Sequence, residues 1–284
     1  MDPIKWVAGA LVLVAAYAGL ASFGGWRWSQ TSRQLVARLE ASEVSGRAKT
    51  FDAAELADLP DPVRRYFERA LIDGQPIIRS ARLSMRGRFN MTLTAESWKP
   101  FTSDQDVTIN RPGFVWDARI TIAPGLPIRV TDSYIGGRGR LHPALLGLFP
   151  VGTLEGAGDF AKAELMRWFA EGVWYPTALL PSQGVTWTPV DDTSAQARMT
   201  DGPLTLSLLF RFGADDLVAS IHADARAATV DGVSVMLPWE CRMSDYQSQY
   251  GMLIPMTGEV LYLTANGERS YFHGTVTQFT YAFY

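Results

Sequence analysis

Four residues of this 284-residue chain could do chemistry together: Asp132, Glu164, Arg167 and Glu171. If Ile128, Val130 and Tyr134 face inward along a strand, the two-residue period turns Asp132 inward with them. A carboxylate on an apolar face must find a partner or shift its pKa. Glu164, Arg167 and Glu171 are spaced so that Glu164 with Arg167, and Arg167 with Glu171, can pair along one side of a helix. One reading is an ion pair that ties helix to sheet. The sharper one is a polar site at the base of a pocket, where two carboxyl groups in hydrogen-bond reach would suit a hydrolase.

The other reactive types point away from chemistry. His142, His222 and His273 are far apart and fit no metal-ligand spacing such as HExxH, so neither a metal nor a cofactor is expected. His222 falls on the polar side of its strand and reads as solvated. Cys241, the one cysteine, has no adjacent His or helix N-terminus to lower its pKa, which fits an inert packed thiol. The chain lacks a GxSxG elbow. GAGDFA at 156–161 has the letters of a dinucleotide loop, but antiparallel surroundings make it a loop and a helix start. Asp191 and Asp215 read as turn residues, and the sequon Asn90-Met91-Thr92 lies inside a strand.

The elements that would position these groups are mostly strands. Leu83, Met85, Phe89, Met91 and Leu93 alternate with polar residues, and Gly87 falls on the apolar side where a curved strand needs it. Further strands are expected over 101–109, 114–122 and 128–135. After Pro181, eight more are separated by turns such as Asp201-Gly202, Asp231-Gly232 and Asn266-Gly267. About 11–12 strands is near the size at which an open antiparallel sheet curls around its apolar face. Between the two sets, Asp159–Pro181 carries the one long helical signal after residue 75, with Leu165, Met166, Trp168, Phe169 and Val173 on its apolar face and Pro176 limiting it. The fold class is mainly β (α+β): a half-barrel covered by an inserted helix.

Three segments are expected: an anchor over 1–28, a helical stalk over 29–49, and a single domain over 50–284 with a helical insert over 142–181. Trp6 to Trp26 is uncharged and close to the length of a spanning helix, with Trp6, Trp26 and Trp28 where an aromatic belt would lie. A cleaved signal peptide is the rival, and its apolar core would be shorter. The net charge of −3 comes with no basic tract and gives nucleic-acid binding no support. Leu145, Leu146, Leu148 and Phe149 form an apolar turn with no matching polar face, either buried or exposed to something greasy.

Several stretches resemble a family of uncharacterised bacterial proteins that often carry an N-terminal membrane segment. They are Phe101-Thr102 with Gln105, Pro112 to Trp116, Asp132-Ser133-Tyr134 with Gly136, Gly137 and Gly139, Glu164-Leu165 with Arg167, Glu171 with Trp174 and Pro176, and Trp187 to Ala195. That resemblance covers most of the chain after residue 50 and carries no activity. The architecture separately resembles the lipoprotein-carrier (LolA/LolB-like) half-barrel, in which helices close a curved sheet around a space for acyl chains.

The resulting expectation is a single-pass membrane protein that binds a lipid or other apolar ligand between the concave sheet and the helical cover. Trp116, Asp132, Tyr134, Leu145, Phe149, Trp168, Phe169, Trp174 and Leu179 would line that space. The alternatives are a hydrolase that uses the cavity carboxylates and a non-catalytic envelope scaffold. The large domain is expected outside the cytoplasm, as the half-barrel resemblance implies, although Arg27, Arg33 and Arg38 after the span favour the inside.

Overall fold

Alternating apolar residues build a single antiparallel sheet of 14 strands. The computed structural model describes residues 3–44, 48–230 and 232–284. Residues 1–2 of the expected anchor, 45–47 of the expected stalk and Asp231 of the expected Asp231-Gly232 turn lie outside the described residues. Seven strands precede the central helix: β1 (Ile78–Asn90), β2 (Trp98–Thr108), β3 (Gly113–Ala123), β4 (Leu126–Ile135), β5 (Arg138–Leu145), β6 (Phe149–Pro150) and β7 (Leu154–Gly156). Seven follow it: β8 (Thr186–Asp191), β9 (Ser194–Asp201), β10 (Leu204–Phe212), β11 (Val218–Val230), β12 (Val233–Gln249), β13 (Met252–Thr264) and β14 (Gly267–Phe283). Each half is a meander. The two join where β1 pairs with β14, leaving β5 with its short partners β6 and β7 at one edge and β8 at the other.

Gly87 stands at that join, opposite Gly274. A Cβ on Gly87 would come 1.9 Å from the carbonyl oxygen of His273, so the seam closes only around a residue with no side chain.

Two expectations are corrected. The first part of the expected helical insert is strand: β5 ends at Leu145, and β6 and β7 add back onto it. Gly136 and Gly137, at φ 60° and 82°, turn the β4–β5 hairpin. On the C-terminal side, β12 runs through Pro238, which lacks a donor, because a bulge at Asp224-Ala225 of β11 removes the facing residue from the ladder. One long hairpin therefore replaces the three short strands expected over 217–225, 229–237 and 239–246.

The concave face is filled by α3 (Asp159–Ala170) and the 3-10 turns Glu171–Trp174, Pro176–Leu179 and Pro181–Gln183. Gly158, at φ 70°, is the cap, and the helix starts at Asp159, where the expected segment begins. The helix tightens at Glu171, short of the limit that Pro176 sets. Trp174 lies over Gly258, and its Nε1 donates to the Pro255 carbonyl at 2.9 Å. Farther along, α2 (Asp61–Ala70) buries Val63, Tyr66, Phe67 and Ala70, with Tyr66 against Phe212 and Phe67 edge-on to Trp187.

The outer face carries α1 (Pro3–Ala41). Residues 3–20 are exposed, and this is the one helix among the described residues that is long and apolar enough to cross a membrane. Beyond them Gly24, Trp28, Ser32, Leu35 and Leu39 are buried at helical spacing, so the expected stalk starts as a docked helix. Leu35 and Leu39 pack on Val115. Trp28 Nε1 donates to Asp117 Oδ1 at 2.9 Å, Ser32 Oγ donates to Oδ2 of the same carboxylate, and the Trp28 ring stacks on His142.

Candidate functional site

The groups singled out for chemistry meet beneath α3. Alternation along β2, β3 and β4 sets Gln105, Trp116 and Asp132 side by side in one cross-strand row on the concave face. Arg167 descends on that row from the helix. Its Nη1 donates to Asp132 Oδ2, its Nη2 to Gln105 Oε1 and its Nε to Glu171 Oε1, each at 2.8 Å. Gln105 Nε2 completes the ring by donating to Glu171 Oε2 at 2.6 Å. The guanidinium also lies over the rings of Phe114 and Trp116, 4.7 and 5.2 Å from their centroids.

A second arginine approaches from the other half of the sheet. Arg226 Nε donates to the Ala163 carbonyl at 3.1 Å, and its Nη1 donates to the Tyr262 hydroxyl at 2.5 Å. Its Nη2 stands 3.9 Å from Glu164 Oε1. Glu164 thus turns to Arg226, and the expected Glu164–Arg167 pair is not formed, because Arg167 is already committed to three acceptors on the other side. The Arg167–Glu171 pair forms as spaced.

Burial, with the nearby Asp132 carboxylate adding to it, lifts the Glu164 carboxyl to about 8. Burial also raises Asp132, against the pull of Arg167. With Glu164 protonated at neutral pH, two arginines face two carboxylates and the cluster carries no net charge. Asp132 Oδ1, Glu164 Oε2, Trp116 Nε1 and Ser103 Oγ are buried without a hydrogen-bond partner. A protonated carboxyl beside an ionised one is the composition of an acid–base pair. Here both are buried, Glu164 to 4% exposure and Asp132 to 8%, and Gly139 of β5 lies so close under α3 that a Cβ there would stand 3.0 Å from Glu164 Cγ. The geometry ties helix to sheet.

The sequence pattern of a family of unknown function, DUF6920, matches residues 57–281, which hold the sheet, the cover and this cluster. The chain belongs to that family. Among solved structures, it is similar to a LolA superfamily protein from Nitrosomonas europaea, at 9% identity over 77% of this chain and 91% of that one, with a TM-score of 0.40. It is also similar to a β-barrel-like protein of the domain of unknown function DUF1849 from Brucella abortus, at 11% identity over 72% and 99%, with a TM-score of 0.22. No curated protein matches.

The expected lining residues of this DUF6920 chain divide by place. Trp116, Asp132, Tyr134, Trp168, Phe169, Trp174 and Leu179 are buried in the interior, and the four on the cover are 0–3% exposed. Leu145 is half-buried, and Phe149 is exposed. Both sit on the open edge, where the register sets Leu145 opposite Phe149 and Leu141 opposite Leu154. Paired residues share a face, so Phe149 and Leu154 extend the concave apolar surface past its last covered strand. Exposures of 53% for Phe149, 60% for Val151 and 47% for Leu154 make this an apolar part of the concave side that solvent reaches.

Sequence reasoning missed Gln105 and Arg226. Gln105 was legible, because it alternates with Phe101, Ser103 and Val107. Arg226 was not. Counting in twos from Ile221 and Ala223 puts it outside, and the bulge at Asp224-Ala225 reverses that parity.

Proposed function

We propose that the protein is a single-pass membrane protein that binds a lipid or comparable apolar ligand at the open β5–β7 edge of its half-barrel. The observation that carries this reading is the exposed apolar run Phe149, Val151 and Leu154, continuous with half-buried Leu141 and Leu145 on the concave side. The adjoining turn supports it by position. Leu146 and Leu148 touch α1 at Gly24, a few residues below the exposed apolar segment, so the edge lies at the membrane side of the domain. A chain entering here meets Leu145 and Phe149 first. Trp168, Phe169, Trp174 and Leu179, with Trp116, Asp132 and Tyr134 beneath, become contacts only if the cover shifts, since their places are filled by one another.

Full chain in vesicles that contain a diazirine-bearing phospholipid tests this directly. Labelling is expected on the peptide around 141–160, and Phe149→Glu with Leu154→Glu should remove it. Label confined to α1, or label at the edge that survives both substitutions, would overturn the reading.

A further inference from the structure

The β3–β4 hairpin runs alongside α1 toward its exposed apolar segment. Tyr17 donates to the carbonyl of Gly125 at the hairpin tip, and the Arg129 guanidinium lies against Gly25. Eight helical residues rise about 12 Å, and four strand residues span about 13 Å, so the two contacts are consistent with one side-by-side alignment. The tip therefore reaches the level of Tyr17, about 13 Å beyond Trp26 at the helical rise. At the level of Gly24 and Gly25, Phe23 and Trp26 are exposed on the side of α1 that turns away from the sheet, their rings 6.0 Å apart. Aromatics so placed mark the headgroup level of a span.

The hairpin's sequence fits that depth. From Ile120 to Ile128, Ile-Thr-Ile-Ala-Pro-Gly-Leu-Pro-Ile, no residue is charged, and an arginine closes each end. Arg119 and Arg129 are direct cross-strand partners. Like charges in that relation repel, yet neither forms an ion pair among the described residues, and the nearby Asp117 spends its oxygens on Trp28 and Ser32. Two guanidiniums without a close ion pair beneath an uncharged tip, Arg129 drawn only from farther off by Asp117, want anions at one depth and apolar surroundings above it. A bilayer supplies both, as lipid phosphates and acyl chains.

We infer that the tip of the β3–β4 hairpin inserts into the bilayer beside α1, with Arg119 and Arg129 holding lipid phosphates at its base. The inference rests on the reading of α1 as a span. It extends that reading by making the domain a second point of membrane contact, which would fix how the open edge faces the lipid.

The test uses full-length Cys241→Ala chain in vesicles of phosphatidylethanolamine and phosphatidylglycerol. An environment-sensitive fluorophore is attached at Leu126→Cys in the tip, at Leu13→Cys in α1, or at Asp192→Cys in the β8–β9 turn at the other end of the strands. The Leu126 probe is expected to shift to the blue and to be quenched by nitroxide lipids, as at Leu13, while the Asp192 probe is quenched by aqueous iodide. In an Arg119→Gln, Arg129→Gln chain the Leu126 probe should lose part of its lipid quenching. Iodide quenching at Leu126 with lipid quenching at Leu13 would overturn the hairpin inference alone. Iodide quenching at Leu13 would remove the span and the hairpin together, and the photolabelling of residues 141–160 would still report on the ligand separately.

Discussion

The half-buried Arg167 of α3 and the buried Asp132 of β4 are joined by a 2.8 Å hydrogen bond between oppositely charged groups, and the same guanidinium holds Glu171 and Gln105. Breaking a buried pair strands the charge left behind, at about 3–5 kcal/mol, whereas removing all of its charges together costs far less. Arg167→Met is therefore expected to lower stability by about that amount in thermal unfolding of the detergent-solubilised chain. Adding Asp132→Asn and Glu171→Gln should restore more than half. A loss below about 1 kcal/mol for the single substitution would mean that the ring is not what ties helix to sheet.

Gly24 is where α1 meets the β5–β6 turn. A Cβ there would stand 2.2 Å from the Leu146 carbonyl oxygen and 2.9 Å from Leu148 Cγ. Gly24→Leu is expected to lift the helix off the rim, and trypsin should then cut after Arg27, Arg33 or Arg38 roughly tenfold faster, because cleavage needs the helix to open locally. Unchanged cleavage would show that Trp28, Leu35 and Leu39 hold the helix without the close contact.

Much of this was legible because one face of the sheet is buried, and register is then written into the alternation of side chains. Asp132 turns inward as its neighbours require, and the helix lies between two sets of strands. The misses share a cause. Arg226, Pro238 and the strands after Gly137 all depend on where a ladder gains or loses one residue, and bulges and glycine turns leave little trace in apolar periodicity. The state of the interior was illegible for another reason. Trp168, Phe169 and Trp174 read the same whether they line a space or fill it, and only the fit of Trp174 over Gly258 distinguishes the two.

The seam between the sheet's halves depends on Gly87. Alanine there must move the backbone of β14, since its Cβ would overlap the His273 carbonyl and approach Gly274 Cα at 2.9 Å. A loss of about 3 kcal/mol or more is expected for Gly87→Ala. Hydrogen exchange should locate it on β1 and β14 with β2 and β13 less affected, and an even loss over all strands would contradict the seam.

Glu164 gives the fold a dependence on pH whose sign runs opposite to that of an ordinary paired carboxylate. Its folded value of about 8 lies above the 4.5 of an unperturbed glutamate. Between those values the folded chain holds a proton that the unfolded chain has released, so this group lowers stability progressively as pH rises from the lower to the upper value and adds no further slope beyond it. A glutamine in its place would mimic the protonated form at every pH. Glu164→Gln is therefore expected to melt close to wild type near pH 5 and above it at pH 9, with the difference opening across the interval. The comparison should be made in the full chain, where Arg226 keeps its bond to the Ala163 carbonyl in both proteins. If the two melting curves ran parallel with pH, Glu164 would be ionised in the folded state and paired with Arg226 across their 3.9 Å separation, and the cluster would carry a net negative charge.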